Sequence, residues 1–460
     1  MKRTLFTFLE EWLDSGDRKP LVIRGARQVG KTWIVRHLAE SRKKKLIELN
    51  FEKKPQLAGL LSSNDPNQIL LRIGALFELT PDPKNCILFF DEIQVVPELF
   101  AKLRWFAEEM PEMPVIAAGS LLDFVLADHT FSMPVGRISY MHLEPLSFEE
   151  FLQASSKGGL LNYLGNYQIQ DEIPYVVHEE LITSFKKYLI IGGMPAAVSS
   201  WINQRSLQKV SQVHHDLLST YRDDISKYRG RLGVERIEEV MAAIPKCLGE
   251  KFVYTKVNPS AQIPSIKQSL ELLCKARICH KVVGSAANGI PLSAEIQEKF
   301  LKMIYLDVGL CSATLGISLE QFQSANSINL INKGGIAEQV VGQILRTIFP
   351  PYVEPGLYYW HREEKGSSAE VDYVIQHENN VIPVEVKAGS TGSLKSLHVF
   401  MGAKGLPFAV RVNSDTPSLT AINIKDHQGH LISYTLLSVP FYLLGQLHRL
   451  IKDSATQKKE

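Results

Sequence analysis

Short apolar runs closed by polar or glycine residues alternate with helically spaced segments through roughly the first third of the chain. Four runs have strand length: Leu21–Arg24, 46–50, 87–90 and Val115–Ala118. They are nearly continuous in apolar residues, the pattern of strands buried on both faces, and the helical stretches between them supply the crossovers that parallel strands need. The expected architecture for residues 1–175 is therefore α/β, a three-layer domain around a parallel sheet. In such open sheets, ligands collect at the carboxyl ends of the strands.

From 176 to 330 the pattern turns mainly helical, with Ile266, Leu270 and Leu273 recurring on one helix face. A glycine- and proline-containing stretch, 284–291, then precedes Leu292–Glu295. Helices followed by a turn-linked pair of short strands fit a winged-helix module, and a plain helical bundle fits the same letters. From 331 to 460 a helix leads into β-like runs at 357–361, 370–376 and 381–387, the last two forming a hairpin around Glu378, Asn379 and Asn380. The tail from Lys452 onward is expected to fray.

A chain of 460 residues is too long for one ordinary core, in keeping with two or three domains. Lys and Arg total 51 against 49 Asp and Glu, so the formal charge of +2 excludes nucleic-acid binding driven by the field of the whole protein and leaves local patches open. The basic run at 42–45 reads as a solvated helix end. Five cysteines, Cys86, Cys247, Cys274, Cys279 and Cys311, lack any CxxC spacing. They suggest reduced thiols rather than disulfides or a structural zinc. Glu10 and Glu11 interrupt the N-terminal apolar stretch, which is wrong for a signal peptide, and no run is long enough to span a bilayer. A cytoplasmic protein without a membrane partner is expected.

Residues 25–32, GARQVGKT, match the phosphate-binding loop pattern GxxxxGK(S/T) at every specified position, between a strand and a helix. Gly25 and Gly30 let the backbone turn tightly enough to aim N–H groups, those of Gln28 and Val29 among them, at a triphosphate. Lys31 reaches the β and γ phosphates, and Thr32 binds Mg²⁺. The run 87–90 ends in Asp91 and Glu92, placing one carboxylate to hold Mg²⁺ and another to polarise the attacking water. Ser120 follows the next strand, where a hydroxyl would sense the γ phosphate or merely cap a turn. ATP and Mg²⁺ are the expected cofactors.

These segments, with AAGSLL and VGRISYMHLEPLSFEEF after them, resemble the AAA+ P-loop ATPases of the archaeal-ATPase-like, STAND-related group over roughly the first third of the chain. The resemblance implies an ATP hydrolase and makes Arg137 a candidate for nucleotide sensing or for an arginine finger, against a surface ion-pair role. YLIIGGMPAAV, YRDDISKY and KFLKMIYLDVGL are similar to the domain of unknown function that commonly follows this ATPase type. That likeness implies a winged helix and then a nuclease-like unit.

Asp372 with Glu385 and Lys387 has the spacing of a PD-(D/E)XK nuclease core. Residues two apart on a strand share a face, and a turn near Glu378 and Asn379 puts Asp372 opposite Glu385. Two such carboxylates would share a divalent cation, with Lys387 orienting a water. Glu338, on the preceding helix, resembles the extra acidic residue many such enzymes carry. An exposed hairpin edge guarded by charge gives the same letters. Together these patterns describe an ATPase whose nucleotide state drives a C-terminal module acting on DNA. The alternatives are an ATP-regulated switch for a protein partner and an ATP-gated nuclease, with oligomerisation open in each case.

Overall fold

The computed structural model describes residues 1–120, 122, 134–228, 233–317, 334–364, 367–387, 393–426 and 428–456. These divide into two compact units. The first holds Met1–Glu144 with two short segments, Lys275–Arg277 and Pro350–Glu354. Its five strands are β1 (Leu21–Arg24), β2 (Lys45–Asn50), β3 (Cys86–Asp91), β4 (Val115–Ala118) and β5 (Ser139–His142), in the order β2-β3-β4-β1-β5. All pairs are parallel. Every residue of β3 and β4 is buried, as their unbroken apolar runs require when helices cover both faces. The edge strand β5 was not legible in the sequence, because Ser-Tyr-Met-His is too short and too polar to form an apolar run, and two of its residues are only half-buried.

The strand order, more than the strands themselves, builds the site. Parallel strands end on the same side, and β4 lies between β1 and β3, so the loops after these three strands emerge side by side. The helix Lys31–Ser41 follows β1 and buries Ile34, Val35, Leu38 and Ala39. These positions form one helical stripe against the sheet.

The second unit holds Pro145–Cys274, Ile278–Phe349 and Pro355–Glu460. It begins with helices, including Tyr175–Ile191 and Leu207–Tyr228, and continues into an eight-stranded sheet. Its strands are β6 (Cys279–Ser285), β7 (Ile296–Tyr305), β8 (Leu357–Glu364), β9 (Ser367–His377), β10 (Asn380–Val386), β11 (Phe408–Asn413), β12 (Ser418–Lys425) and β13 (Leu431–Pro440). The order is β12-β13-β11-β10-β9-β8-β6-β7.

Contacts divide the chain after Glu144, and the expected boundary at 330/331 lies outside the described residues. Two expectations need revision here. The strand pair after the helix Ile263–Lys275 does form, as antiparallel β6 and β7, but β6 also pairs with β8 and so extends the C-terminal sheet. Leu292–Glu295 is a 3-10 turn, not a strand. The tail is helical through Thr456, because Leu447, Leu450 and Ile451 are buried along one face, while 457–460 lie outside the described residues.

Candidate nucleotide site

Gln28 and Gly30 have φ of 63° and 103°, and these positive values let residues 25–32 turn tightly between β1 and the helix that follows. A Cβ at Gly25 would run into the Leu143 carbonyl, so the approach of the loop to the chain after β5 requires glycine. Val29 is fully buried, and its carbonyl accepts a bond from Arg3 Nη1 at 2.9 Å. Arg3 also bonds the Glu144 carbonyl at 2.5 Å, which ties the loop to both flanks of the unit. Nothing in the local sequence marks Arg3, since its partners lie 26 and 141 residues away.

Lys31 is buried, with Nζ donating to the Gly25 and Ala26 carbonyls at 2.9 and 2.8 Å. Burial lowers its pKa to about 8, only partly offset by Glu92 and Asp91. Thr32 Oγ1 donates toward both Asp91 carboxylate oxygens at 3.2 Å, and Asn50 Nδ2 bonds Asp91 Oδ2 at 2.9 Å. Asn50 is opposite Asp91 in the β2–β3 register. Its signal in the sequence was the polar closure of an apolar strand beside another such closure. Burial, then repulsion from Glu92, pushes Asp91 up to about 6 despite these bonds. The Asp91 carboxylate with the Thr32 hydroxyl beside it fits Mg²⁺, which takes few protein ligands when phosphates and water supply the rest.

Glu92 has φ of 53°, a backbone conformation that costs a glutamate about 1 kcal/mol or more. Gln94, which is buried, donates from Nε2 to Glu92 Oε2 and holds the carboxylate. A Cβ at Gly119 would strike Gln94 Oε1, so this glycine leaves room for the amide. Gln94 Oε1 and the buried Ser120 Oγ have no hydrogen-bond partner among the described residues. Ser120 follows β4, and Gln94 Oε1 comes up against Gly119 beside it. Unsatisfied buried polar atoms are costly, and a bound phosphate with its water would satisfy them. Gln94 was missed in the sequence because its role depends on the 3-10 turn Ile93–Val95 bringing it back beside Glu92.

A cleft of about 360 Å³ opens over the loop, with Lys31, Thr32 and Glu92 in its lining. Arg137 is elsewhere. It precedes Ser139, which pairs with Leu21 at the amino end of β1, and its Nε bonds Glu108 Oε1 at 2.8 Å. The parallel sheet thus sets it at the edge away from the loop of its own chain, in the surface ion pair that was the alternative.

The second cluster lies wholly in the other unit. Tyr373 pairs with Val384, so the β9–β10 register puts Asp372 level with Glu385, as the spacing predicted. Asp372 Oδ2 accepts from the Val386 N–H at 2.7 Å, and Lys387 Nζ donates to Glu385 Oε1 at 2.6 Å. Glu338 joins them electrostatically from the helix Gly334–Thr347, whose Glu338 carbonyl accepts from Tyr373 Oη at 2.7 Å. Lys302 on β7, 3% exposed, was not foreseen: it pairs with Glu338 at 3.0 Å and with Glu370. Burial alone would lower its ammonium, but Glu338, Glu370 and Asp372 outweigh this and hold it above its ordinary range. Burial and Asp372 push Glu338 up to about 8 and Glu385 to about 7. Among the described residues no group of three His, Cys, Asp or Glu side chains is arranged to hold a metal. Lys302 places a positive charge among these carboxylates.

Lys302→Met is expected to destabilise the protein by about 3 kcal/mol near neutral pH, since it leaves buried carboxylates without their cation. Urea unfolding near pH 7 measures this, and a change below about 0.5 kcal/mol would remove Lys302 from this role.

A family model described as "AAA domain" matches residues 17–152. Two described as domains of unknown function, DUF8612 and DUF4143, match 182–321 and 333–429. No curated protein matches the chain. Among solved structures, it is similar to the Walker-type ATPase paby2304 of Pyrococcus abyssi, with 15% identity and a TM-score of 0.43 over 67% of this chain and 94% of that one. It is also similar to the ORC2 protein of Aeropyrum pernix, solved as ADPNP–ADP complexes, with 12% identity and a TM-score of 0.36 over 70% and 96%. For the ORC1 protein of Aeropyrum pernix in complex with DNA, the values are 12% and 0.27, over 68% and 90%. The first unit thus has a P-loop fold and is similar to AAA domains over residues 17–152, and no helix among the described residues is long and apolar enough to cross a membrane.

Proposed function

We propose that the chain is a Mg²⁺-dependent ATP hydrolase whose nucleotide state governs a C-terminal module that engages DNA. The observation that carries the ATPase half is the convergence of Lys31, Thr32, Asp91 and Glu92 at the ends of β1 and β3. On nucleotide entry Lys31 exchanges its two loop carbonyls for phosphate oxygens, a better match for an ammonium. Thr32 and Asp91 would hold Mg²⁺, which when bound neutralises charge on the β and γ phosphates. Glu92, steadied by Gln94, orients and polarises the attacking water, and Ser120 donates to the γ phosphate.

The DNA half rests on the Asp372, Glu385 and Lys387 hairpin within a nuclease-like arrangement, together with Glu338. Lys302 among these carboxylates favours a module that binds without cutting. Incubating the full chain with supercoiled or branched DNA, Mg²⁺ and ATP should give salt-dependent binding and no cleavage. Cleavage that disappears in Asp372→Ala would establish the gated nuclease instead. Absence of both binding and cleavage would leave the protein-partner switch.

A further inference from the structure

The helix Lys31–Ser41 spends four side chains on the core, and Ile34, Val35 and Leu38 are fully buried. Trp33 takes no part in that. It is 42% exposed, yet it lines the cleft over the phosphate loop, one residue past Thr32. One face of the indole is covered by the His37 ring, with centroids 4.8 Å apart and planes 20° from parallel. His37 in turn packs against Phe6 at 5.0 Å. The three rings form a braced stack whose outermost surface is the exposed indole.

The polar side chains at the rim are committed elsewhere. Arg36 forms a two-pronged pair with Glu48 at 2.8 and 2.7 Å, and Arg27 bonds Glu52 at 3.2 and 3.3 Å. Trp33 is the sole tryptophan, tyrosine or phenylalanine among the described residues lining the cleft. A nucleotide anchored by its β and γ phosphates at Lys31 extends its ribose and base toward the cleft mouth, where an apolar ring requires a flat, apolar partner. A free tryptophan face would otherwise be hydrated at a cost, and base stacking on an aromatic ring is a recurrent use of such a face.

We infer that Trp33 is the nucleobase platform of this site, stacking the base of the bound nucleotide while the glycine loop holds its phosphates. The inference rests on the nucleotide reading above, and two probes separate them: MgATP, which carries a base, and inorganic tripolyphosphate with Mg²⁺, which does not. Calorimetry on the full chain should show Trp33→Ala weakening MgATP about tenfold while changing tripolyphosphate affinity by less than about twofold. Trp33→Phe, which keeps a ring, should recover most of the MgATP affinity. Equal MgATP affinity in wild type and Trp33→Ala would overturn the platform, as would an equal loss for both probes, which would mean that Trp33 acts through the loop. Should wild type bind neither probe, the phosphate site itself falls and the platform with it.

Discussion

Glu92→Gln is expected to lower ATP turnover by about 10²- to 10³-fold while leaving nucleotide affinity nearly unchanged. The asymmetry follows from the geometry. The hydrogen bonds of Thr32 and Asp91 run to each other and from Asn50 to Asp91, while the Glu92 carboxylate is held by Gln94. Its contact is Gln94, whose Nε2 can donate to the amide oxygen of a glutamine as it does to a carboxylate, so the replacement keeps the shape of the site. What disappears is the charge that draws a proton from water. A steady-state assay beside equilibrium binding of ATP separates the two quantities, and turnover within about threefold of wild type would take Glu92 out of the water-activating role.

Lys31→Ala should weaken ATP binding by about 100-fold or more, because it removes a charge-assisted contact from a buried site where the field is poorly screened. The pH dependence has a definite sign. In the free protein burial holds Lys31 at about 8, so above that pH the ammonium is lost, and ATP must bind together with a proton. Below about 6, Asp91 becomes protonated and competes with the metal. Affinity for MgATP should therefore be greatest between about 6 and 8, with proton uptake on the alkaline side and proton release on the acid side. Calorimetry in buffers of different ionisation heat reads both limbs. In Lys31→Ala the alkaline limb should vanish while the acid limb persists, and an unchanged alkaline limb would mean that another group titrates there.

The parts of the fold legible in the sequence share one property: each is fixed by local period and local burial. β1 and β4 have the bounds that their apolar runs predict, β2 starts one residue earlier, and β3 is one residue longer at each end. The register of β9 and β10 could be counted because a two-residue turn leaves no freedom, so the meeting of Asp372 and Glu385 was fixed by the letters between them. By contrast β5, whose strand character depends on pairing with β1 more than 100 residues earlier, carries no pattern of its own. The membership of β6 and β7 was invisible for the same reason, since β6 finds its parallel partner β8 across more than 70 residues.

The site divides along the same line. By itself the sequence determined the loop, with its glycines, lysine and threonine, and the acidic pair after β3, because phosphate binding and strand termination are written in contiguous residues. Only the tertiary structure decided which groups complete them: Asn50 beside Asp91, Gln94 against Gly119, Arg3 pinning Val29, and Lys302 among the carboxylates of the second unit. It also set Arg137 in an ion pair with Glu108, before the amino end of β5. The physical reason is that hydrogen bonds and ion pairs act over a few ångströms of space, whereas sequence patterns register only neighbours along the chain. Contacts between distant segments exist once strand order has brought those segments together.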